Sequence, residues 1–171
     1  KIILNSKICF NENQKVGEDR HFRYLYTTKI NKCLISFKNL YFYRIDEYII
    51  DHKPSPNIIE NLFFENENFY SLILSSNRTQ EIIYKLFYKE IMDEQLYMAC
   101  DRYIFNKIIN LTKKERNEAI KKIYKSKWIK IARKNLKFND LISKKSKLNL
   151  LAIKLRSYLL FKLFLRINYK Y

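Results

Sequence analysis

The sequence predicts a mainly α protein, an irregular bundle of about five to six helices, and three observations carry that expectation. The 171 residues include one glycine, Gly17, and two prolines, Pro54 and Pro56, so tight turns and glycine-dependent hairpins have almost no raw material. Apolar residues make up 47% of the chain and aromatic residues 16%, too much hydrophobic material for a disordered tail. Apolar positions also recur at three- and four-residue steps over long stretches. A chain of this length supports one ordinary domain, or two small packed lobes, and buries about 70% of the surface its unfolded form exposes.

Residues 1–50 can be read as helix or as a small β element. "HFRYLY" alternates like a strand, whereas Ile30, Leu34, Phe37, Tyr41 and Ile45 follow Thr27 and Thr28 at helical spacing and favour a helix over about 28–50. "NENQKVGED" around Gly17 reads as a loop, and "DHKPSP" is the clearest break in the chain. Ser55 before Pro56 has the pattern of an N-cap with proline at the first helical position, opening a short helix towards Phe64. "NENFYSLILSS" adds a turn or two. From 78 to 110, Ile82, Ile83, Leu86, Phe87, Ile91, Leu96, Tyr97, Tyr103, Ile104 and Ile108 trace a long amphipathic helix, with a break expected near Met98. Thr112 and Glu115 form a capping box, which starts a helix at Lys113 that runs over 113–136. Asn139–Asp140 marks a turn, and a last helix covers 146–167.

Charge divides the chain more sharply than any other property. Lys, Asn, Ile, Tyr and Phe, all written with A- and T-rich codons, supply 92 of the 171 residues, so an AT-rich genome alone would inflate lysine. Codon bias would act evenly along the sequence, yet residues 1–100 carry 13 basic and 13 acidic side chains while 101–171 carry 21 basic and 4 acidic ones. The expected organisation is therefore a charge-neutral helical scaffold over 1–110 and a basic helical region over 111–171. A cationic excess of this kind repels itself unless an anionic partner neutralises it. The competing reading is a merely solvated basic face.

Within "KKIYKSKWIKIARKNLKF", Lys121 to Phe138, there are eight basic residues and no acid. At 100° per residue Lys122, Ser126, Lys130, Arg133 and Lys137 line up as one stripe, and Ile120, Ile123, Tyr124, Trp128 and Ile131 occupy a roughly opposite arc. Lys127 and Lys134 fall at the edge of that arc, where their methylene stems can lie over it with the ammonium groups free. The residues expected to meet phosphates are Lys121, Lys122, Lys125, Lys130, Arg133, Lys134 and Lys137, extended by Lys144, Lys145 and Lys147 of "SKKSK". Lysine finds phosphates as a point charge without reading bases, so contact with the nucleic-acid backbone is expected. Tyr124 and Trp128 are candidates for stacking on unpaired bases, although their place on the apolar arc favours core packing. The final helix is apolar on several sides and still basic, which suits a segment clasped between protein and RNA; it also suits a helix lying at a membrane surface, although the lack of a clean polar face counts against that, and cations at its centre argue against a transmembrane span.

Other chemistry is sparse. One glycine excludes a glycine-rich phosphate loop and a dinucleotide fingerprint. Cys9, Cys33 and Cys100 lack the spacing of a zinc site or a disulfide framework and read as idle thiols of a reducing compartment. His21 near Asp19 and His52 beside Asp51 have no placed nucleophile, and Glu90, Asp93 and Glu94 read as an acidic patch before a cation site. No catalytic residue, cofactor or metal is expected. The opening at Lys1 without methionine fits a cleaved targeting peptide. The function expected is a structural RNA-binding component of a ribonucleoprotein, a mitochondrial or other organellar ribosomal protein contacting rRNA and neighbouring proteins of a large assembly. The alternatives are a basic adaptor for an acidic protein segment or an anionic membrane, as an exported or membrane-associated protein, and an accessory subunit of a membrane complex.

Overall fold

A computed structural model describes residue 5 and residues 8–10, 18–27, 54–75 and 80–169, and all regular structure among them is helical. Helix α1 is Glu18–Thr27 and α2 is Ile58–Ser75; α3, Gln80–Glu90, runs through a π turn, Ile91–Gln95, into the single turn α4, Leu96–Ala99, and a second π turn, Cys100–Ile104. Then come α5, Lys113–Lys125, α6, Lys127–Asn135, a 3₁₀ turn, Phe138–Asp140, α7, Lys144–Lys154, and α8, Tyr158–Tyr169. With 80–104 taken as one rod and α5–α6 as one bent rod, these are six helical rods, the mainly α bundle that the composition predicts.

"HFRYLY" lies inside α1, so its alternation is helical and not that of a strand. The helix expected over about 28–50 falls outside the described residues. Helix α2 begins at Ile58 and not at Pro56, with the Ile58 N–H reaching the Ser55 backbone carbonyl at 3.1 Å, and it runs unbroken to Ser75, so the turns expected of "NENFYSLILSS" join the helix expected towards Phe64. Those turns are held by Phe69 and Ile73, both buried in the core.

The run 80–104 shows no break at Met98. Its core-facing residues recur every four positions, as Tyr88, Met92, Leu96, Cys100 and Ile104, with Phe87, Ile91, Gln95 and Ala99 beside them. In a regular α-helix such a row would drift by about 160° around the axis over sixteen residues. The wider π turns absorb that drift and keep the row on the core. Gln95, in the first of them, exchanges two hydrogen bonds of 2.8 Å with Asn66 of α2, so a buried amide pair locks the two rods together. Beyond Ile104 the expected helix to 110 is replaced by turns: the Asn106 side chain accepts from the N–H of Ile108 and of Ile109, and Asn110 takes a left-handed φ of 47°. Arg116 closes this end by donating to the carbonyls of Ile104, at 2.9 Å, and Leu111, at 3.0 Å.

The capping box forms as expected: Glu115 N–H donates to Thr112 Oγ1, and Thr112 N–H donates to Glu115 Oε2 at 2.8 Å. The single helix expected over 113–136 is broken at Ser126, which ends α5 and caps α6 through its Oγ, the acceptor for Ile129 N–H. The single helix expected over 146–167 starts earlier, at Lys144, and is broken at 155–157. There the N–H of Arg156 bonds the Ile153 carbonyl and the N–H of Ser157 bonds the Ala152 carbonyl, a Schellman turn with Arg156 at φ 53°. The core runs through all of this, with Phe87, Met92, Ile120, Trp128, Leu150 and Phe161 among its buried members.

Candidate nucleic-acid interface

The basic residues singled out by sequence lie on four neighbouring segments, and packing decides which of them face outward. Lys121, Lys122 and Lys125 are exposed on α5, and Lys130 and Lys134 on α6, where Arg133 is half-buried. Lys137 is exposed before the 3₁₀ turn, its N–H donating to Asp140 Oδ2 at 2.6 Å. Lys144 and Lys145 are exposed in the first turn of α7, and Lys147 is half-buried there. The Lys145 ammonium sits 5.6 Å from the Tyr169 ring centroid.

The stripe is not one straight face. Ser126, drawn into it by helical spacing, has ψ 152° and uses its hydroxyl on α6, so the phase of the helix resets there. Lys122 forms an ion pair with Glu60 of α2 and Lys127 one with Glu67, so the Lys127 ammonium, 4.5 Å from the Trp128 ring centroid, is not free as expected. In Glu60, burial would raise the carboxyl pKa, and the Lys122 ammonium together with a backbone hydrogen bond outweighs it and holds the group below its ordinary value. Lys130, Arg133 and Lys137 pair with no carboxylate among the described residues. The Arg133 carbonyl instead accepts from Lys154 Nζ at 3.2 Å, which brings a further cation from α7 against α6.

Neither aromatic residue considered for base stacking is available. Trp128 is 2% exposed, edge-on to Tyr70 and to Phe87 with centroids 5.8 Å apart in each case. Tyr124 packs on Tyr158 and Phe161. A different aromatic surface lies beside the cations, in a cleft of about 530 Å³ between α2, α3 and α6, lined by Tyr70, Tyr84, Lys85, Tyr88, Ile131, Lys134 and Asn135. Tyr84 is half-buried and nearly parallel to Tyr88, with an interplanar angle of 14°. Burial, with Tyr70 and Tyr84 nearby, pushes the Tyr88 phenol up to about 12, and burial also raises Tyr84, so both stay neutral near pH 7. Sequence reading missed this cleft because Tyr70 and Tyr84 look like ordinary core positions; the signal present was the four-residue spacing of Tyr84 and Tyr88.

The remaining candidates are placed apart. Burial lowers the pKa of half-buried His21, whose neighbour Asp19 is exposed; His52 and Cys33 lie outside the described residues. Glu90 is buried, Asp93 half-buried and Glu94 exposed, and no group of three or more His, Cys, Asp or Glu among the described residues is arranged to hold a metal ion. Cys9 is exposed, while complete burial, and then Asp101, drives the Cys100 thiol far above its ordinary pKa and leaves it inert. No family model, curated protein or solved structure matches this chain.

Proposed function

We propose that this protein is a non-catalytic RNA-binding component of a ribonucleoprotein, an organellar and specifically mitochondrial ribosomal protein, that meets RNA phosphates along α5, α6 and the start of α7. The observation that carries the reading is the unequal treatment of its cations. Glu60 and Glu67 neutralise Lys122 and Lys127, while the side chains of Lys130, Arg133 and Lys137 form no ion pair among the described residues, the Asp140 carboxylate accepting only the backbone N–H of Lys137. The N-terminal turn of α7 adds to this, since Lys144 and Lys145 stand at the positive end of a helix dipole with no acid in that turn. Cations placed there are unfavourable until an anion arrives, and phosphate oxygens are the anions that helix N-termini accept. The tyrosine cleft beside Lys134 offers a neutral aromatic wall on which an unpaired base can stack while its phosphate meets the ammonium group.

Titration of the full chain with single-stranded and duplex RNA over a range of salt tests this reading. Affinity is expected to fall linearly on a log–log plot of binding against salt, each neutralised phosphate contributing a slope of about 0.7 to 0.9. The double substitution Lys130→Glu with Arg133→Glu is expected to lower affinity at least tenfold and flatten that slope, and native protein is expected to sediment with ribosomal RNA. Absence of salt-sensitive binding to any RNA, with recovery of an acidic protein or a membrane complex in place of rRNA, would overturn it.

A further inference from the structure

The outward side of α8 is apolar where a surface helix is ordinarily polar. Leu159 is 75% exposed, Leu163 48% and Ile167 66%, and Leu155, in the turn before the helix, is 60% exposed. At 100° per residue the three positions of α8 fall within about 80° of one another. They lie across the axis from Phe161, Leu165 and Tyr169, which are buried in the core. Leu148 and Leu151 of α7 are also exposed. Cations border the outward side of α8: Arg156 is exposed in the turn between the helices and Lys162 is half-buried along α8, while half-buried Arg166 donates to Asn117 Oδ1 of α5 at 3.5 Å. No acidic residue occurs after Asp140.

We infer that this face docks on an anionic lipid bilayer, with Leu155, Leu159, Leu163 and Ile167 entering the headgroup–acyl boundary and Arg156 and Lys162 meeting lipid phosphates. The chemistry separates this occupant from RNA and from a second copy of the chain. RNA offers no aliphatic surface to cover exposed leucines, so Leu159, Leu163 and Ile167 call for another occupant. A second copy of the chain would bring Arg156 and Lys162 of both copies into one interface, with no carboxylate on α7 or α8 to compensate. Anionic lipid supplies both an apolar layer and phosphates at the depth where an interfacial helix rests. The helix lies along the surface: no helix among the described residues is long and apolar enough to cross a membrane.

The test is co-sedimentation of the full chain with vesicles of phosphatidylcholine alone and of phosphatidylcholine mixed with phosphatidylglycerol. Partition is expected to be strong only with the mixed vesicles. Leu159→Gln with Leu163→Gln is expected to reduce it at least tenfold while leaving the circular dichroism melting curve and the RNA affinity unchanged, because both side chains are exposed. Equal partition of the wild-type and glutamine variants would overturn the inference, as would equal partition onto both vesicle types. A wild-type dimer split by the same substitutions, without vesicle binding, would assign the face to a second copy instead. Retained RNA binding in any of these cases leaves the RNA reading standing, so the two proposals fail separately.

Discussion

Arg156 shows how a chain with one glycine builds a sharp turn. Its φ of 53° lies in the left-handed region, where a side chain crowds the following carbonyl and costs about 1 kcal/mol relative to glycine. The hydrogen bonds from Arg156 and Ser157 back to Ile153 and Ala152 hold it there nonetheless. Arg156→Gly is expected to stabilise the fold by about 0.5 to 1 kcal/mol, read as a higher urea midpoint at unchanged slope. Asn110 takes the same region at φ 47° at smaller cost, since asparagine tolerates it better. Neither position was legible beforehand, because the usual mark of such a turn is glycine, and the only one here is Gly17.

Among the elements, the cap at Thr112 was readable and the breaks at Ser126 and Arg156 were not. Thr112 and Glu115 announce the start of α5 because a capping box is local chemistry that four residues complete by themselves. The Thr112 hydroxyl and backbone N–H hold the Glu115 carboxyl below its ordinary pKa. Because the folded-state pKa lies under the unfolded value near 4.3, the associated stabilisation is complete above that pH and is lost as pH falls through the folded pKa. Thr112→Ala removes a capping acceptor and is expected to lower the urea midpoint at pH 7, and the difference from wild type should shrink in urea melts taken at progressively more acid pH. Ser126 carries the same capping chemistry, yet it sits inside a pattern that fits one continuous helix, and only the burial of Trp128 and Ile129 on the far side of the bend selects the break. The π turns of 80–104 were not legible either: the apolar pattern read as an ordinary amphipathic helix with a break near Met98, and the four-residue row of Tyr88, Met92, Leu96, Cys100 and Ile104 emerges only from the core it faces.

Taken whole, the protein carries a formal net charge of +17, and the structure offsets only part of the local excess through Glu60 and Glu67. Self-repulsion of that size weakens the compact state at low ionic strength. Raising sodium chloride from about 0.01 M to 0.15 M, which shortens the Debye length from about 30 Å to 8 Å, is therefore expected to raise the thermal midpoint of the isolated chain. A midpoint that stays constant or falls would mean that attractive pairs already balance the surface. Composition and periodicity were sufficient by themselves to determine the helical class, the capping box at Thr112, the apolar role of Ile120, Ile123 and Trp128, and the concentration of cations after residue 100, because each follows from local propensity or from counting. Which lysines are neutralised, where Tyr70, Tyr84 and Tyr88 meet Lys134, and that Leu159, Leu163 and Ile167 point away from the core were decided only by the tertiary structure. Those facts depend on which helix packs beside which, and residues far apart in sequence, such as Lys122 and Glu60, have no local signal of the pairing that changes their charge environment.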